Sequence, residues 1–315
     1  MIVNIIIGIF GILLVIYLYA LAKDLLAHKE EFKQEKGSFF LLTPLTMGIH
    51  FLATMGMSDF NHSIPIFRFA KLVDDKRIPG TLLTATAAPG LLIGILYLSN
   101  VEVSVITVVS LFTAQALGTV VGVRLVKKMN AATIRKVLAT ALIFSICVIV
   151  TRMVWTGMQE GTLTALPLWV VACITPLYFV FGIVQMMGFG TKSLSMSLLL
   201  SLGLSPLSVL VTMLTVAGIS GWAGGMQYVK SGLFQRRIAL YSALAGSCGV
   251  LIGTFFVRNL NTTILQIIMI VIMIQAAINM LMKKDKKPEN EETNKAATED
   301  AAVNEVEEGS QVNEE

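Results

Sequence analysis

Charged residues are scarce in this chain of 315 residues. They make up 14% of it, against about 25% in an ordinary soluble domain. Hydrophobic residues make up 55%, concentrated in long runs. A bilayer core of about 30 Å needs roughly 20 apolar residues in a helix, and several runs are long enough. The alternation typical of a membrane β-barrel is missing. The sequence therefore predicts an all-α, polytopic protein of the lipid bilayer, because helices satisfy their own backbone hydrogen bonds there.

The sequence also lacks the motifs of common enzymes. It has no Walker loop, no GxSxG, no HExxH and no polar Cys/His/Asp cluster, so we expect no enzyme, metal or cofactor. The absence of a nucleotide-binding domain favours secondary transport, unless a separate subunit supplies the energy. Cysteines are few, and Cys147, Cys173 and Cys248 lie in apolar runs without CxxC spacing, which predicts small buried thiols.

Acidic residues are concentrated at the C-terminus. Residues 288–315 hold ten of the 20 acidic residues and a single lysine, so we expect residues 283–315 to form a disordered acidic tail. The other lysines and arginines are spread over short loops and form no stripe, so no nucleic-acid partner is expected. Basic loops are normally cytoplasmic, which predicts an outside N-terminus and a cytoplasmic tail.

The apolar runs predict nine long helices and two short ones. The long helices are expected at about 2–25, 39–57, 78–98, 102–126, 132–156, 166–187, 206–228, 235–257 and 262–282. The short helices are expected at about 63–73 and 193–202, each after a sharp break. Such a helix spans about half of the bilayer core, so each is either a re-entrant segment or part of a broken crossing. The first helix lacks the features of a signal peptide and should be retained.

The chain repeats itself at an offset of about 131–132 residues. The matches include a Thr-Pro-Leu segment at 43–45 and 175–177, and the glycine pairs Gly118/Gly122 and Gly249/Gly253. We expect these small-xxx-small pairs to pack the two repeats together, with dimerisation as the alternative. The predicted loops at Lys127 and Arg258 correspond to each other but lie on opposite sides, which predicts inverted repeats. The predicted domains are an additional N-terminal helix with a cytoplasmic loop, two repeats and the acidic tail, at 1–37, 38–157, 166–282 and 283–315.

Inverted repeats are typical of transporters, whose substrate binds between the repeats at discontinuous helices. A helix that begins inside the membrane directs unpaired N–H groups and a partial positive charge at the cavity, where they can bind an anion. Here the breaks GMSDFNHS (56–63) and GFGTKSLS (188–195) occupy the same place in each repeat. Their helix-break glycines are Gly56, Gly188 and Gly190. The predicted substrate ligands are Asn61, Ser63, Thr191, Lys192, Ser193 and Ser195.

Charges within the apolar region are costly and usually functional. Lys192 is predicted to be the counter-charge of an anionic substrate, with a topogenic loop lysine as the alternative. Asp59 and His62 are candidates to carry a coupling proton, although Asp59 and Asn61 would also serve as caps of the short helix. For His50, alone in a long apolar helix, an interhelical hydrogen bond is a more frequent role than a proton relay.

Taken together, these features resemble the TauE/SafE sulfite exporter family, also called the 4-toluene sulfonate uptake permease family. The resemblance rests on the two breaks, on the segments DDKRIPGT and GLSPLSV, and on the GxxxG pairs, and it covers about residues 38–282. It implies transport of sulfite, sulfonates or related anions across a bacterial plasma membrane. The breaks depart from the family's usual glycine run, such as GxGGG. Asp59 beside an anion site should be protonated or paired with Lys192.

The sequence thus favours a multi-pass permease for a small sulfur-containing anion, with protons as the candidate coupling ion. Its partners would be the anionic substrate and the lipid bilayer, and an oligomer is compatible with the sequence. Two other hypotheses stay open. In the first, a channel-like protein translocates cations or protons with Asp59 as the ion ligand. In the second, a membrane scaffold acts through the acidic tail.

Overall fold

The computed structural model describes residues 2–74, 77–99, 103–126, 161–186 and 190–259, together with residue 264. The regular elements within these ranges are helices, and one isolated bridge joins Leu163 to Leu204. The helices are α1 Ile2–Ala27, α2 Lys29–Gln34, α3 Phe39–Thr54, α4 Asp59–Phe69, α5 Ile78–Leu98, α6 Val105–Val126, α7 Leu168–Gln185, α8 Lys192–Ser201, α9 Pro206–Ser231, α10 Arg236–Tyr241 and α11 Ser247–Arg258. A π-helical turn, Ser242–Gly246, connects α10 to α11 and is called the π-turn below.

Six of the described helical segments are long and apolar enough to cross a membrane, judged by length and composition. They are Ile2–Ala27, Ile78–Leu98, Val105–Gly122, Leu168–Gln185, Pro206–Ser231 and Arg236–Val257. A seventh apolar helix, Phe39–Thr54, is shorter. The helical membrane class is therefore confirmed for the described ranges. The helices expected at 132–156 and 262–282, and the acidic tail 283–315, lie outside them, so the total of nine long helices stays a prediction.

The first short helix begins earlier than predicted. α4 starts at Asp59, not near residue 63, so Asp59, Asn61, His62 and Ser63 belong to the helix and not to the break before it. Gly56 has a φ of +93°, a conformation that favours glycine, and it turns the chain directly after α3. An aspartate in the first turn suits the partial positive charge of a helix N-terminus, which explains the early start. α8 similarly begins at Lys192, one residue before the predicted start.

The centre of the bundle is formed by α5 and α9. Within their spanning segments, 83% and 89% of the residues are buried, against 22% for α1, whose apolar outer side is exposed. α5 and α9 cross where Gly90 meets Gly218, and a side chain at Gly218 would overlap the carbonyl oxygen of Gly90. Small residues at a crossing let two backbones approach closely in a membrane. The two central helices are therefore fixed against each other by backbone contact.

The glycine pairs predicted to pack the repeats together do so in a reciprocal manner. Gly118 of α6 lies against the backbone of Phe179 in α7, and Gly249 of α11 lies against the backbone of Met47 in α3. Gly118 and Gly249 are 131 residues apart, and Met47 and Phe179 are 132 apart, so the two contacts correspond at the offset of the sequence matches. A helix of each predicted repeat thus packs on a helix of the other. The close packing predicted at these glycines is observed, while the inverted repeats stay a prediction.

The predicted burial of the cysteines is wrong for two of the three. Cys173 on α7 and Cys248 on α11 are exposed. Both lie on apolar helices at the outside of the bundle, where a small apolar thiol is compatible with lipid contact. Cys147 lies outside the described ranges.

A charged cluster holds the N-terminal helices to the bundle. It consists of acidic groups from α1, α2 and the residue that follows α2, and of two arginines at the start of α10: Asp24, Glu31, Glu35, Arg236 and Arg237. The Arg236 guanidinium, 2% exposed, binds Asp24 and Glu31, each at 2.7 Å. The Glu35 carboxylate accepts the backbone N–H groups of Arg236 and Arg237 at 3.0 and 2.7 Å, so it caps α10 from another part of the chain. Burial raises the pKa of the Glu35 carboxyl, while these N–H donors lower it.

Replacement of the close-contact glycines should destabilise the bundle. We expect Gly118→Ala and Gly249→Ala each to cost about 1–3 kcal/mol, because the new methyl group would overlap a backbone carbonyl of the neighbouring helix. The measurement is the thermal unfolding of the purified protein in detergent. The matched control is Gly48→Ala on α3, where the space is open. Equal melting temperatures for all three variants would contradict the close approach.

The charged cluster leads to a second stability prediction. Arg236→Met should lower the free energy of unfolding by about 3–5 kcal/mol, because it leaves the Asp24 carboxylate buried without its counter-charge. Lys33→Met serves as the control, since the Lys33–Glu30 pair is exposed and such pairs contribute about 1 kcal/mol or less. A chemical or thermal denaturation series on both variants compares the two effects. A similar loss in both would contradict a structural role specific to Arg236.

Candidate functional site

The two breaks meet at a buried ion pair. The Lys192 ammonium of α8 lies 2.8 Å from Oδ1 of Asp59 in α4, and the side chains are 7% and 2% exposed. The hydroxyl group of Thr86 in α5 donates to the other carboxylate oxygen at 2.7 Å. Asp59 and Lys192 are also the first residues of the two short helices. The structure brings together two residues that are 133 positions apart in the sequence, as the expected pairing of Asp59 requires.

Apolar contacts also connect the breaks. A Cβ at Gly56 would lie 2.7 Å from the Met196 methyl group of α8 and 2.7 Å from that of Met213 in α9. The turn after α3 is thus packed directly on the second short helix. Gly190, half-buried, precedes α8, whereas Gly188 lies outside the described ranges. The described helix-break glycines therefore lie at the beginning of the short helices, as predicted.

In this structure, the charges of Asp59 and Lys192 neutralise each other. Lys192 was expected to be the counter-charge of a substrate, but in this structure the Asp59 carboxylate already neutralises it. Removing one member of a buried ion pair leaves an uncompensated charge, which is far more costly than removing both. Buried charges between apolar helices usually mark a pathway for ions or substrates. This geometry favours a functional Lys192 over a loop lysine that only sets topology.

A second polar cluster lies beside the same break. It joins four buried residues from α6, α7, the second break and α9, each at most 3% exposed: Gln115, Gln185, Thr191 and Ser220. The amide nitrogen of Gln115 lies 2.8, 3.3 and 3.2 Å from the side-chain oxygens of Gln185, Thr191 and Ser220. Ser220 also donates to the Gln185 carbonyl group at 2.8 Å. Thr191, adjacent to Lys192 in the chain, thus connects this cluster to the ion pair.

The other predicted ligands lie along the short helices. Ser63, Ser193 and Ser195 are all buried, and no hydrogen-bond partner is found for the Ser193 hydroxyl group. The same holds for Ser58 at the end of the first break. Asn61 lies in the first turns of α4. Ser58 and Ser193 thus place two buried hydroxyl groups without a hydrogen-bond partner among the described residues near the starts of the short helices.

The two histidines of this region have different surroundings. The ring of His62 bonds the Ser58 carbonyl oxygen at 2.9 Å within the first turn of α4. His50 is 2% exposed on α3, and a Cβ at Gly246 of the π-turn would overlap its ring.

Four of the residues at this site were not found by the sequence reasoning: Thr86, Gln115, Gln185 and Ser220. Gln115 and Gln185 are polar residues within apolar runs, and that position alone was a usable signal, because a glutamine in a membrane helix normally faces protein. Thr86 and Ser220 are too common in such helices to stand out. Their role depends on the crossing of α5 and α9, which no local pattern indicates.

A double-mutant cycle should reveal the coupling between the paired charges. We expect Lys192→Met or Asp59→Asn alone to lower the free energy of unfolding by about 3–5 kcal/mol, and the double variant to lose less than the sum. Unfolding of the purified variants in detergent provides the measurement. Additive losses would mean that the two charges do not interact in the folded protein.

These features define the class of the protein: a polytopic helical membrane protein with a buried polar site between two short helices. The family model described as Sulfite exporter TauE/SafE matches residues 174–303, which include α8, α9 and the second break. The predicted resemblance is confirmed over that stretch, whereas it was expected over about 38–282. The match and the apolar helices together support a membrane transport permease. Neither the curated proteins nor the solved structures contain a match to this chain.

Proposed function

We propose that this protein is a secondary transporter of a small sulfur-containing anion, sulfite or an organosulfonate, which binds between the N-termini of α4 and α8. The observation that carries the proposal is Lys192, a buried cation at the first residue of α8. It lies in the part of the chain that the sulfite exporter family model matches. A cation and a helix N-terminus together favour an anionic ligand.

The anion would bind by competing with Asp59 for Lys192. Its oxygen atoms would accept hydrogen bonds from the ammonium group, from the first N–H groups of α8 and from the hydroxyl groups of Ser58 and Ser193. These two hydroxyl groups are buried and have no partner among the residues that the structure describes, so a bound anion would satisfy them. Thr191 and Gln115 would support the backbone at the start of α8.

Proton coupling would follow from the same competition. An anion that takes Lys192 from Asp59 leaves a buried carboxylate beside a second negative charge, which is strongly unfavourable. A proton that binds with the anion removes this repulsion. The coupling candidates from the sequence are Asp59, which contacts Lys192, and His62, which lies in the same helix. Protons are therefore the coupling ion that we propose.

The proposed architecture is a pair of inverted repeats, with the N-terminus outside and the acidic tail in the cytoplasm of a bacterium. The reciprocal contacts of Gly118 and Gly249 at one offset support the duplication. In such an architecture the substrate site lies between the repeats. Asp59 and Lys192, one from each proposed repeat, would occupy that position.

A transport assay tests the proposal. In proteoliposomes, we expect a pH gradient to drive the flux of sulfite or a simple sulfonate, and Lys192→Ala to reduce this flux at least tenfold because the counter-charge is lost. Lys230→Ala, which changes an exposed lysine in the last turn of α9, is the control. Undiminished transport by Lys192→Ala would remove this residue from the mechanism. Cation-dependent currents without anion dependence would favour a channel instead.

A thermal-shift screen identifies the substrate class independently of transport. Sulfite, sulfate, thiosulfate and simple sulfonates are added to the purified protein, and a ligand at about 100 times its Kd should stabilise the folded state by about 2.7 kcal/mol. The shift should be absent in Lys192→Ala. Stabilisation of wild type by none of these anions would contradict the proposed substrate class.

A further inference from the structure

A cavity of about 310 Å³ lies beside the charged cluster and takes no part in the proposed transport. Its wall is formed by the end of α2, by the chain that follows α4, and by the residues that precede α5 and α10. A volume of this size is typical of small-molecule sites. α4 begins with Asp59 of the ion pair and ends beside this cavity, so the pair and the cavity are separated by about 16 Å along one helix.

Two carboxylates of the wall are already engaged by the charged cluster. Glu31 accepts a hydrogen bond from the Arg236 guanidinium at 2.7 Å. Glu35 accepts the backbone N–H groups of Arg236 and Arg237 at 3.0 and 2.7 Å. These acidic groups therefore hold α2 to α10 and do not neutralise the basic groups on the other side of the cavity.

The basic side chains of the wall, in contrast, have hydrogen-bond donors to offer. The ammonium groups of Lys36 and Lys71 have no hydrogen bond or ion pair within the part of the chain that the structure describes. Nη1 of Arg77 lies 3.9 Å from Oε1 of Glu35, which is too long for a hydrogen bond. The wall also contains Asp74, an exposed carboxylate without a partner among the same residues. The three cations thus outweigh this carboxylate, which favours an anionic ligand.

Lys71 is held in a backbone conformation that favours glycine. Its φ is +48°, and among the described residues it is the only one other than glycine with a positive φ. The N–H group of Leu72 donates to the Phe67 carbonyl oxygen at 2.9 Å, the bond of a Schellman motif that ends α4. Glycine is the usual residue at the position of Lys71 in this motif. Because a lysine is less suited to this backbone, we attribute its presence to the side chain, which lines the cavity.

We propose that the cavity binds a phosphate monoester through Lys36, Lys71 and Arg77. Such a group carries about 1.5 to 2 negative charges at neutral pH, which the three cations would neutralise. Its oxygen atoms accept the paired N–H groups of an arginine and the single donors of lysines. A soluble molecule and the headgroup of phosphatidic acid both present this group. The inference does not depend on the proposed function, because none of the three residues belongs to the ion pair.

Calorimetry with methyl phosphate tests the site in the purified protein in detergent, with sodium chloride added to keep the ionic strength constant. We expect Lys71→Gly and Arg77→Met each to raise the Kd at least about fivefold, because each removes a charge-assisted hydrogen bond. Asp74→Asn should lower the Kd, because it removes a carboxylate that repels the ligand. Lys29→Met, which changes an exposed lysine of α2 outside the wall, is the control and should bind as wild type.

A second titration identifies the source of the phosphate. Dihexanoyl phosphatidic acid is compared with dihexanoyl phosphatidylcholine under the same conditions. A Kd for the phosphatidic acid at least about tenfold below that of methyl phosphate supports a lipid headgroup, and a similar Kd supports a soluble monoester. Binding of the phosphatidylcholine as tightly as the phosphatidic acid would mean that the acyl chains are recognised, and it overturns the inference.

Thermal unfolding of Lys71→Gly separates binding from folding. Glycine adopts the observed φ more easily, so this variant should melt at the wild-type temperature or above it while it binds more weakly. A lower melting temperature together with weaker binding would assign Lys71 to the fold alone and overturn the inference. Wild type that binds neither methyl phosphate nor phosphatidic acid also overturns it. Weaker binding by Ser193→Ala does so as well, because it would place the phosphate at the start of α8, whereas a failure of sulfite transport contradicts only the proposed function.

Discussion

The ion pair between Asp59 and Lys192 determines how the two short helices are arranged. Each charge lies at the first residue of its helix, and the two side chains are only 7% and 2% exposed. Because an unpaired charge would be costly there, the N-termini of α4 and α8 have to face each other. Thr86 from α5 completes the carboxylate's hydrogen bonds and links the pair to the centre of the bundle. The polar site is thus a consequence of charge neutralisation in an apolar surrounding.

Close contacts at glycine residues allow the helices to adopt this arrangement. Gly118 and Gly249 allow helices of different repeats to touch through their backbones, and Gly90 and Gly218 do the same for α5 and α9. Such close crossings leave little room for side chains between the helices, so polar groups gather where the helices are interrupted. The Gln115 cluster occupies one such place. The packing and the polar site therefore both depend on the close approach of these helices.

The sequence predicted what depends on local composition. Hydropathy located α5 at its observed bounds, Ile78–Leu98, and the offset matches indicated which glycines bring the repeats together. The start of α4 was predicted four residues too late, because an aspartate at a helix N-terminus is equally compatible with a polar loop. Nothing in the sequence indicated that Arg236, at the start of the helix predicted at 235–257, is 2% exposed among carboxylates. The burial of a charge depends on partners that are distant in the chain, and a single sequence does not indicate which residues these are.

The surroundings of the two histidines show the same dependence on distant partners. His62 is close to Asp59 in sequence, and on a helix that spacing directs it to the Ser58 carbonyl group. His50 packs on the π-turn, where a Cβ at Gly246 would overlap its ring, and Gly246 is distant in the chain. A neutral ion pair attracts no anion, so a site of this composition needs one further positive charge in order to bind one. In the proposed transporter, a proton that binds together with the anion supplies that charge, because it removes the repulsion between the anion and the buried Asp59 carboxylate.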